Sequence, residues 1–208
     1  MKIVDQHYEI LKITTDPIKH IEICGRTCYQ SQPGSAEKFT KMILKRGHET
    51  VIEHAHISVR FVTNRGVTHE LVRHRICSFS QESTRYVRYD GNMEFIRPVW
   101  WEEWSESERG DWLACIKTCE TYYRGLIQSG SRSEQAREVL PNSLKTEIVM
   151  SCNFREMRHI LNLRCSKKAH PQIRSLMLDL LKDIHTIVPV IFDDIYDKYF
   201  KKEDQIEP

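Results

Sequence analysis

The sequence predicts an α+β fold, a single domain over residues 1–208 in which a central sheet is combined with long helices. Three observations carry this expectation. Period-two and β-branched stretches ("HISVRFVTN", "LKTEIVMSCN") are interspersed with longer stretches of helical period. Strands and helices do not alternate as regular βαβ units. No repeat, low-complexity block or Gly/Ser/Pro-rich linker divides the 208 residues, a length that buries roughly 70% of the surface exposed by the unfolded chain.

The first expected element is a helix over about residues 16–29, "DPIKHIEICGRTCY". Pro17 takes the first helical position after Asp16, and Ile18, Ile21, Cys24 and Cys28 recur at helical spacing. A second helix begins at Ser35 and turns Phe39, Met42 and Ile43 inward. In "HISVRFVTN", Ile57, Val59 and Phe61 alternate with Ser58, Arg60 and Val62, the period of a half-buried strand. Asn64, Arg65 and Gly66 then turn the chain into a short helix carrying Val67 and Leu71.

The longest helix is expected in "ESERGDWLACIKTCETYYRGLIQSG". Ser105 caps it, Gly130 closes it, and Leu113, Ile116, Cys119, Tyr123, Leu126 and Ile127 form its apolar stripe. "SEQAREVL" is a short helix stopped by Pro141, "LKTEIVMSCN" a strand, and "FREMRHILNL" a helix ending near Arg164. Pro171 opens the last predicted helix, whose Ile173, Leu176, Met177, Leu180, Leu181 and Ile184 make one broad inward face.

Composition narrows the functional classes. With 40% hydrophobic and 29% charged residues the chain has none of the depletion that marks disorder. The net charge of +2 means that any basic patch arises from local clustering, which counts against a general nucleic-acid binder. "MKIVDQHYEI" lacks a signal-peptide core and the longest aliphatic run, "IVPVIF", is too short to span a bilayer, so a soluble cytoplasmic location and no membrane partner are expected. Seven scattered cysteines fit reduced thiols. The i, i+4 pairs Cys24/Cys28 and Cys115/Cys119 read as buried small hydrophobes in preference to a zinc site.

Chemistry concentrates in "ELVRHRICSFSQESTRYVRY", residues 70–89. Arg73, Arg75 and Arg85 offer planar forks for phosphate or carboxylate, and Ser78, Ser80, Ser83 and Thr84 add neutral donors on a loop with free backbone N–H groups. This mixture suits a phosphorylated small ligand. Cys77 and Ser83 have no paired base at fixed spacing and are not read as nucleophiles. Two rival readings exist. His48, Glu53, His54, His56, His69 and His74 suggest a metal-dependent phosphohydrolase, but no Asp accompanies them and no metal is expected. Tyr86, Tyr89, Trp100, Trp101 and Trp104 beside the arginines suggest base stacking, against which the modest charge counts.

Arg73-His74-Arg75, Ser78, Ser83 and Arg85-Tyr86 stand at the spacing of the signature of the flavin-dependent thymidylate synthases, which this stretch resembles. "RGHETVIEH", "REVLP" and "NFREMRHILNLR" are similar to that family's other blocks and occur in the same order, with the likeness weakening before residue 20 and beyond about residue 180. The resemblance implies a homotetramer with FAD sites shared between subunits, methylating dUMP reductively to dTMP with methylenetetrahydrofolate as carbon donor and NADPH as reductant. By position it assigns His48, Thr50, Arg73, His74, Arg75, Gln81, Asn153, Arg155 and His159 to FAD. It assigns Glu70, Leu71, Val72, Arg73, Gln81, Glu82, Ser83, Thr84, Arg85, Arg137 and Arg164 to dUMP, with Arg164 the catalytic residue that polarises the uracil. Many members have Asn-Glu in place of Ser80-Gln81 and Gln in place of Glu70. A carboxylate at 70 would repel a phosphate unless it turned to an arginine or held a proton.

Overall fold

The computed structural model describes residues 1–28 and 30–201; Tyr29, the end of the first expected helix, lies outside the described residues. In chain order the strands are β1 (Lys2–Val4), β2 (His7–Ile13), β3 (His56–Asn64), β4 (Ser78–Gln81), β5 (Glu94–Ile96) and β6 (Lys145–Asn153). The helices are α1 (Pro17–Thr27), α2 (Ala36–Lys45), α3 (Arg65–Leu71), α4 (Glu106–Gln128), α5 (Ser133–Ala136), α6 (Phe154–Arg164), α7 (Pro171–Ile187) and α8 (Pro189–Phe200). Short 3-10 turns occupy Glu49–His54 and Arg137–Val139. The fold mixes α and β without βαβ alternation, as expected. One sheet has the order β2-β3-β6-β4, and β1 pairs in parallel with β5, Ile3 opposite Phe95. Among the described residues no helix is long and apolar enough to cross a membrane.

The chain forms two compact units. The first comprises Met1–His7, Arg60–Arg73 and Phe79–Val149. Its core gathers Met93, Phe95, Ile116, Tyr123, Ile127, Ala136 and Leu144, with Ile3, Trp112 and Leu113 packed against them. Helix α4 is the main support of this core. Ser105 caps it through a reciprocal box, accepting from Glu108 N at 3.3 Å while Glu108 Oε2 accepts from Ser105 N at 2.8 Å. Gly130, at φ 91, lets the chain leave that helix in the left-handed region. Asn64 caps α3 by accepting from Val67 N at 2.8 Å.

The second unit comprises Tyr8–Val59, His74–Ser78 and the chain from Met150 onward. Its helices α6, α7 and α8 pack on one another, as do α1 and α2. The predicted inward face of α7, from Ile173 to Ile184, is buried in full, and Phe154 at the start of α6 meets Phe192 of α8 ring edge to face at 5.7 Å. At Gly25 of α1 the ring of Phe39 from α2 packs against the backbone: a Cβ there would lie 2.6 Å from Phe39 Cζ.

Two expectations fail on helix phase. The buried face of α1 is Ile21, Glu22 and Gly25, and that of α4 is Ile116, Glu120, Tyr123 and Ile127. The paired cysteines sit a step round each helix, so Cys28 and Cys115 are exposed and Cys24 and Cys119 half-buried. Glu22 is tolerated inside because its carboxylate accepts from Arg26 Nε at 2.7 Å and from Gly34 N at 2.9 Å.

Candidate active site

In the second unit the site is built on α6. Asn153 ends β6 and caps the helix, its Oδ1 accepting from Glu156 N at 2.8 Å. The helical turn then sets Glu156 and His159 on one face, with Arg164 in the last turn. His74, 6% exposed, meets that face. Arg164 Nε donates to His74 Nε2 at 3.0 Å, and the His159 ring stands edge-on to His74 with centroids 5.9 Å apart.

This hydrogen bond decides the state of His74. A guanidinium has only donors, so Nε2 must be an acceptor and the ring is neutral with its proton on Nδ1. Burial, then Arg164, then His159, push its pKa from 6.5 down to about 4. Glu156 Oε1 is 3.6 Å from His74 Nδ1, beyond hydrogen-bond reach, and burial raises that carboxyl above its ordinary range. The pair is therefore desolvated on both sides, and Arg164 is the fixed charge beside it.

Asn153, Arg155, Glu156 and His159 line a cavity of about 640 Å3 together with Ile76 and Arg158. Arg155 Nη1 donates to Glu53 Oε1 at 2.6 Å. Arg158 grips both carboxylate oxygens of Asp194 at 2.7 Å, and its buried Nε has no partner among the described residues. The donors here, two guanidiniums, an amide and an imidazole, fit the pyrophosphate and ring edges of a dinucleotide such as FAD, provided an anion exchanges with Glu53 at Arg155. His48 and Thr50 do not join them. They line a neighbouring cavity of about 750 Å3 with Phe39, Val51, Lys38 and Arg46, while Glu49 and Glu53 of the same 3-10 turn face the first cavity. Arg75 is exposed, one residue from His74.

In the first unit Gln81 ends β4 and lines a cavity of about 700 Å3. Its Nε2 donates to Thr68 Oγ1 at 2.9 Å, a donation that an amide can make and a carboxylate cannot. Glu82 accepts from Tyr89 Oη at 2.5 Å and lies 3.5 Å from Lys145 Nζ, so its charge is already matched. Burial, then Glu82, push the Tyr89 phenol pKa upward. Ser83 Oγ accepts from Arg85 N at 3.2 Å, and Thr84 is buried. Arg85 reaches Glu134 of α5 at 3.1 Å and covers the Tyr86 ring, which brings it to the segment carrying Arg137. Both arginines are exposed enough to take a phosphate. Glu70 and Leu71 end α3 and Val72 and Arg73 form the turn that follows, where Arg73 N donates to Glu70 O at 3.4 Å. Leu71 is fully buried and presents no surface to a ligand.

Glu156, Arg158, Glu53, Tyr89 and Lys145 are absent from the sequence-based assignment. Glu156 carried a usable signal, since it follows the cap residue Asn153 by three and shares a helix face with His159. Of the histidines behind the metal reading, only His74 belongs to a cluster of ligand-type atoms among the described residues, with Glu156 and His159. Arg164 on Nε2 and the proton on Nδ1 leave His74 no lone pair for an ion.

The sequence matches the thymidylate synthase complementing protein family over residues 9–190, a wider span than the motifs alone suggested. The chain belongs to this family. Flavin-dependent thymidylate synthases of Geobacter sulfurreducens and Mycobacterium marinum are 34% and 33% identical to it, the first over 89% of this chain and 84% of its own, the second over 84% and 78%. The fold is shared with PolB of Streptomyces cacaoi, a UMP/dUMP methylase solved with 5-Br dUMP, at a TM-score of 0.79 and 19% identity over 93% of this chain and 96% of that one.

Proposed function

We propose that the chain is a flavin-dependent thymidylate synthase that converts dUMP to dTMP, with methylenetetrahydrofolate as carbon donor, NADPH as reductant and FAD as bound cofactor. The observation that carries this reading is Arg164 hydrogen-bonded to a neutral, buried His74 inside the signature: a permanent cation held in place by a residue that does not compete for charge. Such a cation stabilises negative charge developing on a uracil ring, and no protein nucleophile is required.

Bound FAD would supply the two-electron redox chemistry. By the family pattern His48, Thr50, Arg73, His74, Arg75, Gln81, Asn153, Arg155 and His159 would hold that cofactor. Arg85, Arg137 and the Ser83–Thr84 loop take the nucleotide phosphate, and Glu70, Val72, Arg73, Gln81 and Glu82 line the rest of dUMP. Glu82 is matched by Lys145 and Tyr89, so its carboxylate adds little repulsion. The whole chain acts as one catalytic domain, a reading supported by the length of the family match.

The enzyme works as a homotetramer in the cytoplasm on small molecules, without nucleic acid. Ile76 and Tyr86, within the signature, are 74% and 77% exposed, apolar surface that a ligand and a neighbouring protomer would cover. The test is the visible spectrum of the purified protein before and after NADPH with dUMP present. A flavin band that NADPH bleaches, with dTMP formed once methylenetetrahydrofolate is added, is the expected result. A colourless protein that FAD does not reconstitute ends the proposal.

A further inference from the structure

We propose that Cys77 and Cys152 are a reversible dithiol–disulfide pair, a redox site placed in the turn of the arginine-histidine signature. Strands β4 and β6 are neighbours in the sheet, and Glu82 N donates to Glu147 O at 2.9 Å. Further along, in opposite directions on the two segments, His74 Nδ1 lies 3.6 Å from Glu156 Oε1. The two contacts make the segments antiparallel and bring Cys77, the residue before β4, level with Cys152, and Cys77 is the leading influence that raises the Cys152 thiol pKa. Opposite residues of an antiparallel pair have Cα atoms about 4.5–5.5 Å apart, inside the range of about 4.4–6.8 Å that a disulfide spans. Cys115 and Cys119 are neighbours too, but they lie along one helix, where Cβ vectors run side by side instead of facing.

Accessibility divides the roles. Cys77 is half-buried and Cys152 is 4% exposed, so an oxidant reaches Cys77 first. The interaction with Cys77, then burial, push the Cys152 pKa upward, so Cys152 keeps its proton until Cys77 is oxidised. With a hydroperoxide as oxidant, the Cys77 thiolate takes the terminal oxygen, the O–O bond breaks and hydroxide or alkoxide leaves. The Cys152 sulfur then attacks the Cys77 sulfenic acid, its proton leaves with the departing hydroxide as water, and the S–S bond forms. Two electrons pass from the thiols to the peroxide, and a cellular dithiol returns them by exchange.

The consequence follows from what surrounds Cys77. Its N–H donates to His74 O at 3.0 Å, and Cys152 directly precedes Asn153, the cap of the helix that carries Arg164. A disulfide ties the His74 turn to that cap and removes its freedom to adjust around a ligand. The effect on turnover rests on the function proposed above; formation of the bond does not.

The FAD-loaded enzyme is treated with stoichiometric hydrogen peroxide, alkylated and digested with trypsin under non-reducing conditions. The expected product joins residues 76–85 to residues 146–155, and the joined peptide is absent from Cys77→Ser and Cys152→Ala. Synthesis of dTMP falls about tenfold or more in the oxidised wild type, as a misplaced site requires, and returns with dithiothreitol. Cys152→Ala keeps its basal activity and its melting temperature and resists this disulfide-linked loss. Two separately alkylated peptides, or Cys77 converted to sulfinic acid, overturn the pairing. A joined peptide in an enzyme of undiminished turnover overturns the regulatory role. A joined peptide in a protein that methylates dUMP in neither state upholds the pair and removes the functional reading instead.

Discussion

Replacing Arg164 by Ala tests the electrostatic reading directly. The change deletes the Nε–H that His74 Nε2 accepts at 3.0 Å, and His74 is 6% exposed, so water does not readily substitute. A buried acceptor left without its donor costs about 1–3 kcal/mol. Loss of a cation from the last turn of α6 adds about 0.3–1 kcal/mol through the helix dipole. The folded protein survives such a loss, because domains of this size are typically stable by about 5–15 kcal/mol. Turnover is expected to fall much further, by about 10²–10³-fold, the usual effect of removing one preorganised group that stabilises developing charge. The assay is dTMP formation at saturating dUMP, run beside a flavin titration and a urea melt. Flavin affinity and KM for dUMP should stay close to those of the wild type while kcat collapses. Arg164→Lys, which retains charge without the fork, should recover part of the rate. A wild-type kcat in Arg164→Ala would falsify the assignment of Arg164 to uracil polarisation.

The remaining expectations follow from packing, titration and assembly. The folded-state pKa of His74 lies near 4 and its unfolded value near 6.5, so between these limits the unfolded chain binds the extra proton and stability drops as pH falls. The full loss is about 3 kcal/mol, complete below pH 4 and absent above 6.5; Glu156, whose pKa is raised, opposes part of it, and Arg164 and His159 are the other charges facing the ring. Urea midpoints from pH 7 to pH 4.5 for wild type and His74→Phe measure it, and equal slopes would remove His74 as the cause. Gly25→Ala sets a Cβ 2.6 Å from Phe39 Cζ and 2.9 Å from Val51 Cγ1, so thermal melting should show a destabilisation of about 1–3 kcal/mol; an unchanged midpoint would mean that α1 and α2 are less closely packed than described. Sedimentation should give a species of four chains, and an active monomer contradicts the shared-site reading.

Helix starts were readable from the chain because their signals are local. Pro17 and Pro171 at first helical positions and Ser105 before the longest helix act within a turn of backbone, and each starts the element it was expected to start. Strands β1, β2, β4 and β5 and helix α8 went unpredicted. Strands β1, β4 and β5 are three or four residues long, too short for a period to register; β2, seven residues long, buries none of its side chains fully, and α8 follows α7 across Val188 with scarcely a break. The cysteine pairs failed for a related reason: a one-residue error in helix phase is a turn of about 100°, enough to exchange a buried face for a wet one.

By itself the sequence determined the kind of chemistry: arginine forks, hydroxyl donors and a spaced signature imply an anionic ligand whatever their final positions, since charge and hydrogen-bonding capacity belong to the residue. What only the tertiary structure decided is the state of those groups. His74 is neutral because folding removes it from water and presents it to Arg164, Glu156 becomes reluctant to ionise through the same burial, and the turn before β4 brings Cys77 to where it raises the Cys152 thiol pKa. These are properties of distance and solvent, and residues far apart along a chain acquire them only when it folds.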